Sequence, residues 1–97
     1  MTVMVDPPVW PFRGRRFAHL ASDTSYDELH RFAARLGLPA RAFHDDHYDI
    51  PEEWVPRAVA LGAEEVDARE LARRLRRAGL RRAGRARAGD DQSSSSL

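Results

Sequence analysis

The chain has 97 residues, a formal net charge of +1 and no cysteine. The lack of cysteine excludes disulfides, thiolate zinc ligands and thiol nucleophiles, and no apolar run reaches the roughly 20 residues that a membrane-spanning helix needs. We therefore expect one soluble, cytoplasmic domain with a thin core, for which homo-oligomerisation would supply extra stability.

The charge is unevenly distributed along the chain. Residues 1–72 carry 13 acids and 8 arginines, a balance of −5, whereas residues 73–89 carry 8 arginines and no acid. We expect a folded domain over residues 1–83 and a disordered tail over residues 84–97, because arginine, glycine and serine bury too little apolar surface to offset the entropy of ordering. The tail either binds nucleic acid weakly, through salt-sensitive contacts with phosphate, or stays solvated without a partner.

Two short apolar runs in the first part of the chain predict β-strands. Residues 2–5 form the first, which Pro7 and Pro8 end because proline cannot donate to a strand ladder. Residues 17–21 form the second. The loop between them, residues 6–16, is rich in proline, tryptophan and arginine and is a candidate ligand-binding segment.

Capping residues predict three helices. Ser25 followed by Glu28, and Asp67 followed by Glu70, are capping boxes, each placed before apolar residues at helical spacing. Pro51 and the acids after it favour a further helix start, because proline and negative charge both suit a first turn. With a glycine after each, the predicted helices cover residues 26–36, 51–61 and 68–78.

Further short strands at residues 41–44 and 63–66 complete an alternation of strands and helices. This order predicts a small α/β domain, with a three- to four-stranded, mostly parallel sheet and about three covering helices. Ligands in such sheets bind beyond the carboxyl ends of the strands. That edge would bring together three polar segments, at residues 6–16, 22–25 and 45–49.

The densest group of titratable residues is the run from His44 to Asp49, which holds two of the four histidines and three of the fifteen acids. If the run is extended, His47 and Asp49 point to one face with Cα atoms about 7 Å apart. The carboxylate could then orient the imidazole, or both could bind a metal with further ligands such as His19 and Asp23. A mixed histidine and aspartate set suits Zn, Mn or Fe. The alternative is a structural turn in which Asp49 caps the next helix.

The remaining candidates each have a structural alternative. His19 is either an active residue or a satisfied core histidine, and His30 is either a ligand or a residue at the boundary of a helix face. Asp23 lies at a helix start that could bind an anion or could serve only as a cap. Arg13 and Arg16 could grip phosphate through forked hydrogen bonds. Trp10, between prolines, is either a stacking platform or a lid over a small core.

Three segments of the chain resemble the DUF4031 family of small bacterial and phage proteins. They include Val5-Asp6-Pro7-Pro8, His19-Leu20 with Ser22-Asp23, and Asp46-His47-Tyr48-Asp49-Ile50-Pro51-Glu52. The resemblance covers roughly residues 1–80 and implies no activity. It implies that the family's polar positions fall here on Asp6, Trp10, His19, Asp23, His30, His47 and Asp49. Where the family often has a histidine this chain has Arg13, and the resemblance implies that His44 is incidental.

These observations favour a polar site with hydrolytic or phosphate-handling chemistry. The catalytic candidates are Asp6, His19, Asp23, His47 and Asp49, and the ligand-binding candidates are Trp10, Arg13, Arg16 and His30. In this hypothesis His47 is the acid, base or ligand, Asp49 or Asp23 orients it, and an arginine contacts a small or anionic ligand. A divalent metal is the candidate cofactor. The competing hypothesis is a non-catalytic module that binds a small ligand, nucleic acid or a protein partner.

Overall fold

The structure, a computed structural model, describes residues 2–82. The strands are β1 (Val3–Val5), β2 (Trp10–Phe12), β3 (Arg15–Ser22), β4 (Phe43–His44), β5 (His47–Pro51) and β6 (Glu64–Glu65), and the helices are α1 (Tyr26–Leu36), α2 (Val55–Ala60) and α3 (Ala68–Arg77). The mixed α/β class and the three helices are confirmed. The predicted tail, residues 84–97, lies outside the described residues, as does the last residue of the predicted domain.

The sheet differs from the prediction in size and in direction. It has six strands in the order β4-β5-β3-β1-β6, with β2 also paired to β3. Among the described residues only β1 and β6 pair in parallel, and the other four pairings are antiparallel. The prediction of a three- to four-stranded, mostly parallel sheet was therefore wrong.

The reason for the difference is two tight turns. Arg13 and Gly14 join β2 to β3 with φ angles of 53° and 77°, and positive φ at both central residues matches the twist of a two-residue hairpin. Asp45, with φ 60°, turns the chain between β4 and β5. Two-residue connections allow only antiparallel neighbours, since a parallel crossover needs a dozen or more residues.

The helices cover most of one sheet face and only part of the other. On the first face Leu20 and Ile50 pack with Leu29 and other apolar residues of α1 and α2. On the second face Met4 and Ala21 pack against Leu71 and Leu75 of α3. Because α3 covers only the part of the second face around β1 and the end of β3, the part formed by β2, β3 and β5 stays open.

The helix boundaries follow the predicted caps. The Ser25 hydroxyl accepts a hydrogen bond from the Glu28 amide at 3.1 Å, and the Asp67 carboxylate accepts one from the Glu70 amide at 2.7 Å. A 3-10 turn, Glu52–Trp54, precedes α2, so of the two possible starts, at Pro51 or one turn later because of Pro56, the structure has the later one. Asp49 belongs to β5 and not to a helix cap, so the alternative reading of this residue was wrong. Within residues 2–82 no helix is long and apolar enough to cross a bilayer.

Candidate functional site

Three polar side chains meet on the open half of the second sheet face. His19 lies on β3 directly opposite Asp49 on β5, and His47 lies two residues before Asp49 and hence on the same face. The His47 Nε2 atom is 3.2 Å from Asp49 Oδ1, and the His19 Nε2 atom is 3.9 Å from the same oxygen. The two imidazole rings lie 4.8 Å apart, centroid to centroid. We call His19, His47 and Asp49 the triad.

Asp6, just after β1, holds the far side of the His19 ring. One carboxylate oxygen accepts the His19 backbone N–H at 2.6 Å, and the other lies 2.8 Å from Nδ1. The indole nitrogen of Trp10 is 3.1 Å from the same Nδ1, but Nδ1 cannot accept from the indole and donate to the carboxylate at once. We assign the proton to Nδ1, because an ionised carboxylate only accepts. The Nε2 atom of His19 then carries the lone pair, on the side of the ring that faces His47 and Asp49.

Asp46 holds His47 in the same way from within the core. Its Oδ1 lies 2.7 Å from His47 Nδ1, and its Oδ2 accepts the backbone N–H of Arg82 at 2.7 Å. The Asp46 carboxylate is fully buried. Such a carboxylate must be hydrogen-bonded to be tolerated there, so the segment after α3 contributes directly to the position of His47.

The two histidines of the triad are arranged like histidines that bind a metal, with each Nδ1 beside a carboxylate and each Nε2 toward Asp49. Histidines that bind metals usually donate their other ring N–H to a carboxylate or carbonyl, which fixes the ring and makes it a stronger ligand. Neighbouring ligand atoms on a tetrahedral ion lie about 3.4 Å apart, given bonds of about 2.1 Å. One ligand atom from each triad residue lies within 4.8 Å of the others, and the Asp49 side chain is half-exposed and can rotate. Small side-chain movements would close the triad on an ion.

His47 is the residue whose protonation the triad changes most. Burial lowers the pKa of His47, but hydrogen bonds to Asp46 and Asp49 and the charges of both acids outweigh this and raise the pKa to about 9. The hydrogen bond from His47 in turn lowers the pKa of Asp49. At neutral pH His47 is therefore an imidazolium between two carboxylates, and an ion would have to displace its Nε2 proton.

This raised pKa predicts a stability that depends on pH. Folded His47 binds its proton up to about pH 9, whereas the unfolded residue releases it near 6.5. The contribution to stability is complete below pH 6.5, and the free energy of unfolding falls as the pH rises from 6.5 to 9. Urea unfolding of chelator-treated protein across this window should reveal the fall, and His47→Gln should remove it. An equal fall in the variant would assign the titration to another group.

The triad opens into a cleft with an aromatic wall. A cavity of about 430 Å³ is lined by Trp10, Phe12, Phe17 and His44 together with the triad. A second cavity of about 270 Å³ extends from it toward α3 and Arg81. Both cavities share Trp10, His19, His44 and His47 and are therefore adjacent. We call the first the outer cavity, the second the inner cavity and the two together the cleft.

Other predicted site residues lie elsewhere. Asp23 contacts Arg74 of α3 at 2.6 Å and accepts the Thr2 amide at 2.9 Å, so it joins elements of the fold. His30 contacts the Tyr48 hydroxyl at 2.8 Å, on the face covered by α1. These contacts place both residues outside the cleft.

The two candidate arginines occupy different sides of the sheet. Arg13 lies in the hairpin turn, with its guanidinium 5.3 Å from the centre of the Phe12 ring at the rim of the cleft. Arg16 alternates with Phe17 and His19 along β3 and so projects from the opposite face. Of the two arginines, only Arg13 can reach a ligand in the cleft.

Sequence reasoning missed four residues of this region. Phe12 and Phe17 line the cleft. Phe17 could have been predicted, because it lies two residues before His19 on one strand and so shares its face. His44, expected to be incidental, lines both cavities. Asp46 orients His47 from a turn, and no spacing rule in the sequence distinguishes it from Asp45.

Comparison with known proteins identifies the family. Residues 3–78 match the DUF4031 family, whose description is "Protein of unknown function". No curated protein and no solved structure matches the chain. Because the match spans well over half of the 97 residues, the chain belongs to the DUF4031 family.

Proposed function

We propose that the protein binds a divalent transition-metal ion through His19, His47 and Asp49 and uses it to hydrolyse a phosphate ester. One observation carries the proposal: the Nε2 atoms of two histidines face one carboxylate, while a separate carboxylate holds each Nδ1. Two imidazoles and one carboxylate suit Zn, Mn or Fe rather than Mg or Ca.

Three protein ligands leave coordination positions for other groups. A catalytic metal site keeps such positions for water and for a substrate oxygen, and the ion both acidifies the water and stabilises charge on the phosphoryl group. The cleft gives a substrate access to this side of the triad, and the volume of its outer cavity, about 430 Å³, lies within the range of small-molecule sites.

Hydrolysis adds one water across the ester. The water oxygen bonds to phosphorus, the ester P–O bond breaks, and the leaving oxygen receives a proton. His44 is a titratable side chain in the cleft outside the triad, and its ring centroid lies 5.7 Å from that of His47. It is mostly exposed, so it can exchange protons with solvent and deliver one to the leaving group.

Metal titration tests the proposal. Chelator-treated protein titrated calorimetrically with Zn²⁺ or Mn²⁺ should bind one ion per chain, and binding should release protons because His47 must lose one. The loaded protein should hydrolyse bis(p-nitrophenyl) phosphate, whereas the chelator-treated protein should not. Absence of binding, or binding that persists in His19→Ala, would contradict the metal site. Binding without hydrolysis would retain the ion and reject the catalysis.

A further inference from the structure

Exposed apolar side chains are concentrated beside the triad. Among the described residues the large exposed hydrophobic residues are Val9, Trp10, Phe12 and Val59, and three of these four lie within residues 9–12. Trp10 is 52% exposed and Phe12 is 60% exposed, and both line the cleft. Two large rings held open to solvent next to a polar cluster are typical of a ligand-binding surface.

The rings are held in place from below. Trp10 contacts the His19 ring edge to face at 5.3 Å between centroids, and Phe12 contacts Phe17 in the same way at 6.2 Å. Because β2 is joined to β3 by a two-residue turn, the two rings keep a fixed distance from the triad. Trp10 and Phe12, two residues apart on one strand, therefore form a platform on which flat rings can stack.

The cleft has an arginine near each of its two ends. Arg13 stands beside Phe12 at the outer end, and Arg81 lines the inner cavity. Asp45 and Asp49 bring negative charge between these ends, which a divalent ion on the triad would offset. An extended anion that carries flat rings would match the aromatic platform, the triad and the two arginines.

We infer that the cleft binds single-stranded nucleic acid, with bases stacked on Trp10 and Phe12 and a backbone phosphodiester at the triad. The inference rests on the proposed function, for which it names the substrate class. Aromatic rings bind bases of any sequence through their faces, and arginines follow the backbone. Two adjacent cavities, with Phe12 in the outer one and Arg81 in the inner one, suit a strand better than a lone nucleotide.

Fluorescence anisotropy of a labelled hexathymidylate tests the inference. Phe12→Ala should weaken its binding about 5- to 140-fold, the range expected for one lost stacking contact. The same variant should keep the affinity for Mn²⁺ alone, because the aromatic contact of Phe12 is with Phe17 and not with a triad residue. Val59→Ala, a comparable truncation of an exposed apolar residue on α2, should leave the binding unchanged.

The other outcomes separate the inference from its basis. Binding that ignores Phe12→Ala but disappears when Arg85 and Arg87 become Gln would assign it to the arginine tail and overturn the inference. Thymidine monophosphate that binds as tightly as the hexamer would also overturn it. Binding to the platform in the presence of chelator, by a protein that takes up no Mn²⁺, would support the inference and reject the metal-dependent function.

Discussion

Asp49→Asn is expected to weaken the binding of Zn²⁺ or Mn²⁺ by more than about 100-fold and to leave the fold intact. The substitution keeps the shape of the side chain but removes the charge toward which both histidines point. Loss of a residue that only orients a ligand already costs about 10- to 100-fold in affinity, so loss of a ligand should cost more. The side chain is 49% exposed, and asparagine fills the same space, so no cavity forms. Calorimetric titration and thermal unfolding measure the two effects.

Asp45→Asn is the matched control for this experiment. Asp45 lies in the turn before β5 and lines the inner cavity, so the variant changes the same charge a few residues away. Asparagine tolerates the positive φ of 60° at this position, and the turn should persist. Metal affinity close to that of the unchanged protein is expected. Equal losses in the two variants would mean that general negative charge, and not coordination by Asp49, attracts the ion.

Asp46→Ala is expected to destabilise the protein by about 3–5 kcal/mol, the usual result of removing one partner of a buried charged pair. The carboxylate is fully buried and contacts both His47 and the Arg82 amide. Its loss leaves these groups without their acceptor and lets the His47 ring rotate. Urea unfolding should give the stability, and metal affinity should fall as well. A loss of stability with unchanged metal affinity would show that His47 needs no orienting group.

A pair of substitutions at Arg82 isolates the backbone contact. Arg82→Pro removes the N–H that Asp46 accepts and should cost about 1.5–3 kcal/mol, as expected for the loss of one hydrogen bond to a charged group. Arg82→Ala keeps that N–H and loses only the side chain, whose guanidinium lies 4.2 Å from the Tyr26 ring centre. A contact of this kind at an exposed site contributes about 0.5–1 kcal/mol. Equal losses in the two variants would contradict a role for the backbone donor.

Local rules predicted the helices well and the sheet poorly. Ser25, Asp67 and Gly37 act within a single turn of chain, so the start of α1, the start of α3 and the end of α1 could be predicted from neighbouring residues. Strand direction depends on turns whose signals were atypical. Neither Arg13-Gly14 nor Asp45-Asp46 is the Asn-Gly or Asp-Gly pair that indicates a hairpin. Without those turns, alternating strands and helices favoured a parallel sheet.

The sequence predicted that His19, His47 and Asp49 lie close together, but the reason given for the position of His19 was wrong. His47 and Asp49 share a face through the period of two, which applies to any extended strand. His19 was expected near His47 because loops would meet at one edge of a parallel sheet, yet they meet because β3 and β5 are antiparallel neighbours in the register His19↔Asp49. Asp23 was excluded from the cluster by its contact with Arg74, 51 residues away. No local pattern encodes such a contact.

The two carboxylates that hold the histidines connect them to opposite ends of the described chain. Asp6 follows the first strand, whereas Asp46 is held by the amide of Arg82, after the last helix. An ion on the triad would therefore be thermodynamically coupled to the closure of both segments. Local opening of either one would release a histidine, and binding an ion would oppose that opening by mass action. The contacts that orient the two histidines would then also link metal binding to stability, because a bound ion would raise the free energy needed to open either segment.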